Sequence, residues 1–185
     1  MNVIKTDIPE VLVFQPRVFN DARGYFFESF RKETFDNFVP NTTFVQANES
    51  LSDKGVLRGL HYQKGEYAQG KLVRVIKGAV YDIAVDIRVG SPTYGKYVGI
   101  ELNEENNKQL WVPRGFAHGF LVLQPNTIFS YQCDNYYNKE AEGGIIYNDP
   151  ELGIKWPGKN DNLLLSEKDI ILPLLKETND FQYKN

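Results

Sequence analysis

The sequence predicts an all-β fold, an antiparallel sandwich or barrel with a few short helices, and three observations carry that prediction. Apolar and polar residues alternate with a period of two through the middle of the chain, the spacing of half-buried strands. The runs are short and are separated by turn signals such as Asp21-Ala22-Arg23-Gly24, Asp53-Lys54-Gly55, Lys77-Gly78 and Gln124-Pro125-Asn126. Those signals lie too close together for helical crossovers, which favours antiparallel neighbours.

Taken in order, the alternation places strands at 11–14, 25–30, 43–48, 72–77, 80–87, 97–102, 109–112, 119–123 and 128–133. One short helix is expected at 31–38. A second is expected near the end, where Ser166 followed by Asp169 has the form of a capping box opening onto an apolar run that Pro173 interrupts. No internal repeat, low-complexity tract or Pro/Ser-rich linker divides the chain, so one domain is expected over 1–185. In the strand 80–87, Tyr81, Ile83, Val85 and Ile87 share one face, and Val80, Asp82, Ala84 and Asp86 share the other. The pattern leaves Asp82 open as either a cavity group or an outward-facing, solvated acid.

Composition narrows the function. A chain of 185 residues, 42% hydrophobic, is long enough to bury a core without disulfide or metal staples. Its single cysteine, Cys133, has no partner for an internal disulfide, which points to a reducing cytoplasm. No apolar run is long enough to cross a bilayer and the first residues lack the layout of a secretory signal, so no membrane partner is expected. The net charge of −3 offers no general attraction to a nucleic-acid backbone. A bound phosphate would have to be gripped by a few placed cations, for which Arg23, Arg58, Lys71 and Lys168 are candidates.

The chain has two histidines, both in glycine-punctuated contexts: Arg58-Gly59-Leu60-His61-Tyr62-Gln63 and Pro113-Arg114-Gly115-Phe116-Ala117-His118-Gly119-Phe120. Imidazole is the side chain whose ordinary pKa suits proton transfer near neutrality, although an isolated histidine is as well explained by a structural hydrogen bond. Pro113, Gly115 and His118 reproduce the Pro-x-Gly-x-x-His second motif of the cupin superfamily, and Gly59 and His61 resemble the start of its first motif. Metal-binding cupins usually carry His-x-His there; here the second position is Gln63. Two histidines cannot make a three-His site. A site of two histidines and a carboxylate such as Glu66 stays open, but Gln63 argues for catalysis with no metal and no cofactor.

Longer runs then narrow the likeness to one family. Leu57-Arg58-Gly59-Leu60-His61-Tyr62-Gln63, Gln69-Gly70-Lys71-Leu72-Val73-Arg74-Val75 and Asp82-Ile83-Ala84-Val85-Asp86-Ile87-Arg88 resemble the dTDP-4-dehydrorhamnose 3,5-epimerase family. Gly90-Ser91-Pro92-Thr93-Tyr94-Gly95-Lys96, Gln109-Leu110-Trp111-Val112-Pro113 and Gly153-Ile154-Lys155-Trp156-Pro157 do so too. The resemblance runs from the Asp21–Gly24 turn to Asp169 and implies a cupin-type β-sandwich or jelly-roll barrel. It further implies a homodimer that inverts C3 and C5 of a dTDP-linked 4-keto-6-deoxy sugar, as dTDP-4-dehydro-6-deoxy-D-glucose becomes dTDP-4-dehydro-L-rhamnose. A hydrogen beside a ketone is acidic because its loss leaves an enolate. Inversion therefore needs a base on one face, an acid on the other and a donor near the oxygen.

The resemblance assigns His61 as base, Asp169 as its carboxylate partner and Tyr131 as the acid, with Lys71 the candidate donor to the enolate oxygen. Substrate contacts carried over with it fall on Arg23, Glu28, Gln46, Asn48, Arg58, Lys71, His118, Glu142 and Lys168, with Tyr137 as a platform for the base, where the family often carries tryptophan. Arg114 stands where an acid is expected. The rival readings are an epimerase acting at one carbon, a 3,4-ketoisomerase, a non-catalytic sugar-binding cupin and a metal-dependent cupin.

Overall fold

A computed structural model describes residues 1–158 and 163–183. The strands, in chain order, are β1 (Asn2–Lys5), β2 (Leu12–Gln15), β3 (Phe19–Asp21), β4 (Gly24–Phe26), β5 (Gln46–Ser52), β6 (Leu57–Gln63), β7 (Lys71–Lys77) and β8 (Ala79–Asp86). They continue with β9 (Arg88–Val89), β10 (Tyr97–Asn103), β11 (Gln109–Val112), β12 (Phe116–Val122), β13 (Thr127–Cys133), β14 (Glu142–Gly144) and β15 (Phe181–Gln182). Two short helices, α1 (Lys32–Asp36) and α2 (Glu167–Ile170), complete the set with a few 3-10 turns. The all-β expectation holds.

Two antiparallel sheets form the body, one ordered β1-β2-β11-β7-β13-β5 and the other β10-β8-β12-β6-β14. Alternation explains the space between them. Val73 and Val75 of β7, Leu110 and Val112 of β11 and Phe129 of β13 meet Val80 and Ala84 of β8 and Phe116, Phe120 and Val122 of β12 in one buried cluster. The opposite side chains of the six-stranded sheet, Leu12, Phe14, Leu72 and Trp111, are roofed by Phe35 of α1. The Phe35 ring stacks on Phe14 with centroids 5.1 Å apart, which anchors a helix too short to hold itself by propensity. On the far side of the five-stranded sheet, Leu60, Ile83, Val85, Ala117 and Leu121 pack under Ile145, Leu152, Trp156 and Leu175 of the C-terminal coil.

Several boundaries differ from the sequence expectation, each for a local reason. The strand expected at 25–30 is only β4, because its residues form a hairpin with β3 away from both main sheets. The strand expected at 43–48 begins at Gln46 and runs to Ser52 along β13. β12 starts at Phe116 instead of 119, and β6 had no counterpart in the alternation. The C-terminal helix is the single turn α2; Ser166 accepts from the Asp169 backbone N–H at 3.2 Å, as a cap should.

Candidate active site

β6 shows why alternation failed to reveal it. His61 pairs with His118 of β12 and Arg58 pairs with Phe120, so two residues of β6, Gly59 and Leu60, oppose the single residue Gly119. This bulge lets Arg58 and His61, three apart and hence on opposite faces of a regular strand, both point between the sheets. It requires glycine. Gly59 sits at φ +124°, and a Cβ there would lie 2.5 Å from the Gly119 Cα.

The bulge delivers His61 to Asp169, whose Oδ1 lies 2.5 Å from His61 Nε2. Burial works to raise the Asp169 carboxyl, but hydrogen bonds from His61, Ser166 and the Gly59 backbone outweigh it and hold the group below its ordinary value. An ionised carboxylate only accepts, so Nε2 carries the proton and Nδ1 keeps the lone pair a base needs. Capping and catalytic support thus coexist in Asp169: its backbone N–H is capped by Ser166 while its side chain holds His61.

A second histidine–carboxylate pair lies beside the first. His118 Nε2 is 3.0 and 3.1 Å from the two oxygens of Asp82, which is fully buried. The structure thereby places Asp82 inside the sandwich. Burial pushes its carboxyl up, and the charges of His118 and Lys71 pull it part of the way back.

The opposite sheet supplies Lys71 at the start of β7 and Tyr131 in β13. Burial lowers the Lys71 ammonium and raises the Tyr131 phenol, so the phenol stays in its proton-bearing form. Lys71 Nζ lies 5.9 Å from the centre of the Tyr131 ring. Cys133, cross-strand from Lys71, is pushed up to about 11 by burial, which leaves it an uncharged neighbour.

These groups line two joined cavities. The larger, about 560 Å³, is walled by Arg58, His61, Lys71, His118, Phe120 and Tyr131. The smaller, about 280 Å³, shares His61, Lys71, Tyr131 and Lys168 with it and adds Gln46, Asn48, Tyr137 and Glu142. A hydrogen-bond chain orders the smaller lobe. Gln46 donates to Asn48 at 3.1 Å and accepts from the Tyr137 backbone at 2.9 Å; the Tyr137 hydroxyl donates to Glu142 at 3.0 Å, and Lys168 donates to Glu142 at 2.5 Å. Arg58 reaches the larger lobe with its guanidinium 3.1 Å from Ser52 Oγ.

Two predicted contacts are not brought in by this chain. Arg23 sits on the β3–β4 hairpin, 89% exposed and paired with Asp21, and Glu28 pairs with Arg31; neither lines the cavities. The residues of a cupin metal site are otherwise engaged. Both histidines face carboxylates, the Gln63 side-chain oxygen accepts from the Asn138 backbone at 2.8 Å, and Glu66 is exposed on a 3-10 turn. Among the described residues no three His, Cys, Asp or Glu side chains cluster as metal ligands. Arg114 lies outside, paired with Asp134. Sequence reasoning missed Ser50 and Phe120 as wall residues. Ser50 had a usable signal: Gln46, Asn48, Ser50 and Ser52 alternate with Ala47, Glu49 and Leu51, a polar face that suits a cavity and not a core.

A cupin-type sandwich whose interior carries a carboxylate-held imidazole on one sheet and a protonated phenol with a lysine on the other defines a general acid–base enzyme. The chain belongs to the dTDP-4-dehydrorhamnose 3,5-epimerase family, whose model matches residues 5–177. A dTDP-4-dehydrorhamnose 3,5-epimerase from Shigella flexneri is 56% identical over 171 residues, 92% of this chain and 93% of the relative. The crystal structure of a dTDP-6-deoxy-D-glucose-3,5-epimerase from Legionella pneumophila, in complex with dTDP-4-keto-L-rhamnose, superposes with a TM-score of 0.95 at 46% identity, covering 100% of this chain and 99% of that one. A 3'-monoepimerase from Streptomyces bikiniensis in complex with dTDP-quinovose is also similar, with a TM-score of 0.87 at 32% identity over 93% of this chain and 87% of that one.

Proposed function

We propose that this protein inverts C3 and C5 of dTDP-4-dehydro-6-deoxy-D-glucose, giving dTDP-4-dehydro-L-rhamnose through enolate intermediates. One observation carries the reading: His61 and Tyr131 come from different sheets and face one cavity. A sugar ring held between them has a base on one face and an acid on the other, the arrangement that inversion needs and simple binding does not.

His61 Nδ1 takes the proton from the carbon beside the ketone, with Asp169 steadying the imidazolium that forms. Lys71 meets the charge that develops on the ketone oxygen. A pre-aimed donor of this kind is worth about 3–4 kcal/mol. Tyr131 then protonates the opposite face. Arg58 and Lys168 bind the diphosphate, and the smaller lobe holds the nucleotide through Gln46, Asn48, Glu142 and the exposed ring of Tyr137.

The active unit in this reading is a homodimer of one-domain chains in a reducing cytoplasm. Phe19, Tyr25 and Phe26 on the β3–β4 hairpin are 51%, 62% and 69% exposed, an apolar surface suited to a second copy, whose Arg23 and Glu28 would then reach this cavity. Sedimentation analysis tests the dimer. The reaction is tested by incubation with dTDP-4-keto-6-deoxyglucose in deuterated water, followed by NMR at each ring position. Deuterium and inversion at both C3 and C5 are expected; inversion at one carbon makes the protein a monoepimerase, and no exchange leaves it a binding protein.

A further inference from the structure

Asp82 has no task in the mechanism above. Its buried neighbour Asp86 is committed to Arg88, Ser91 and Thr93, whereas Asp82 bonds the cavity group His118 and is influenced by the charge of Lys71. A carboxylate taken wholly out of water is unfavourable unless cations face it. On either side of it along the same strand face, Val80 and Ala84 pack at no such cost.

Because Asp82 engages Nε2, the other ring nitrogen of His118 is the one left for the cavity that the ring lines; it bonds no protein atom among the described residues. Lys71 has no carboxylate within ion-pair distance among the described residues; burial lowers its ammonium, and the charges that work against this are those of Cys133 and then Asp82, the one carboxylate among them. The other titratable groups around the cavity do not substitute. From β5 comes Glu49, from β6 Arg58 and His61, from β13 Tyr131 and Cys133, from α2 Lys168 and Asp169, and from the smaller lobe Tyr137 and Glu142; Glu49 is exposed, burial keeps Tyr131 and Cys133 protonated, Asp169 is taken by His61, and Glu142 by Lys168.

We propose that Asp82 is a positioning residue of the epimerisation, holding His118 with Nδ1 turned toward the substrate and setting a buried carboxylate on the sheet opposite Lys71. This rests on the epimerase reading. It assigns Asp82 to the transition state and not to nucleotide binding, which lies in the other lobe.

Asp82→Asn keeps the shape and removes the charge. It should lower kcat about 100-fold with KM within about threefold, and move the alkaline limb of kcat to lower pH as Lys71 loses its counter-charge; Asp82→Glu should return the limb toward its wild-type position. The chain's two histidines give two ring systems in a ¹⁵N-histidine NMR spectrum, assigned by His61→Asn. His118 should show a fixed Nε2 proton in the wild type and lose that preference in Asp82→Asn. An active Asp82→Asn variant with unchanged kcat and unchanged alkaline limb, or a loss confined to KM, overturns the proposal. Should that variant fail to fold, a wild-type His118 without a fixed Nε2 proton overturns it equally. A wild-type protein that does not invert the keto sugar overturns the epimerase reading itself, and the NMR result still reports separately whether Asp82 fixes His118.

Discussion

His61–Asp169 and His118–Asp82 are the same chemical pair built twice on one sheet, with the two histidines directly cross-strand. Their surroundings separate them. The His61 side chain is 34% exposed and its carboxylate comes from a one-turn helix more than a hundred positions along the chain, whereas His118 is 7% exposed and its carboxylate comes from the adjoining strand. Donors outweigh burial at Asp169 and lower its carboxyl; burial outweighs them at Asp82 and raises it. The first pair has an accessible nitrogen backed by a firm negative charge, which suits proton abstraction. The second is a buried fixture that aims a ring and balances a lysine.

The largest effect should separate the two histidines. His61→Asn should remove solvent-deuterium exchange from the keto sugar by close to the 10⁴-fold upper end of general base catalysis, with nucleotide-sugar binding changed less than about tenfold. Exchange at the wild-type rate would transfer the base to His118 and reverse the comparison.

Tyr131→Phe should slow inversion by about 10²–10⁴-fold while exchange into the starting configuration persists, because His61 can return the proton it removed. Measuring both in one sample checks this; a parallel loss of both would place Tyr131 in enolate formation. His118→Asn should cost about 10²–10³-fold in kcat and leave some exchange measurable by NMR, a smaller loss than at His61.

The pairs also differ in how acid acts on them. Asp169 is lowered in the folded chain, so its stabilisation is present above the free-chain value near 3.8 and is lost as pH falls through the folded value. Asp82 is raised, so its contribution is full below 3.8 and declines as pH rises through its folded value. Asp169→Asn should therefore cost about 1.5–3 kcal/mol in thermal melts near neutrality, and the gap to wild type should close as pH drops below that free-chain value. A gap that widens in acid would contradict the assignment. The smallest effect expected is none: dialysis against a strong chelator should leave turnover intact, whereas loss restored by a divalent ion would mean that one metal joins the two histidines and that they are not separate pairs.

Much of the site was legible because the residue types are chemically restrictive. With only two histidines in the chain, both in glycine-punctuated motifs, imidazole chemistry had few places to go, whereas by pattern alone Tyr131 is an ordinary strand aromatic and Lys71 falls just outside the strand expected at 72–77. The resemblance added the roles of Tyr131 and Lys71, and it added Asp169, which no local pattern links to His61. What stayed illegible depended on broken periodicity. β6 is invisible to a period-two reading because its bulge carries Arg58 and His61 to the same side, although an isolated glycine within a strand, as at 59 and 119, is the mark such a bulge leaves.

The sequence by itself determined the class of fold and the pairing of Ser166 with the Asp169 backbone, since each follows from periodicity or from contacts a few residues apart. Only the tertiary structure decided that Asp82 lies inside, that Arg23 and Glu28 stand apart from their own chain's cavity, and that base and acid face each other from different sheets. A strand's own pattern fixes which side chains share a face, but which face is covered depends on the strand or sheet packed against it, and that partner is distant in the chain.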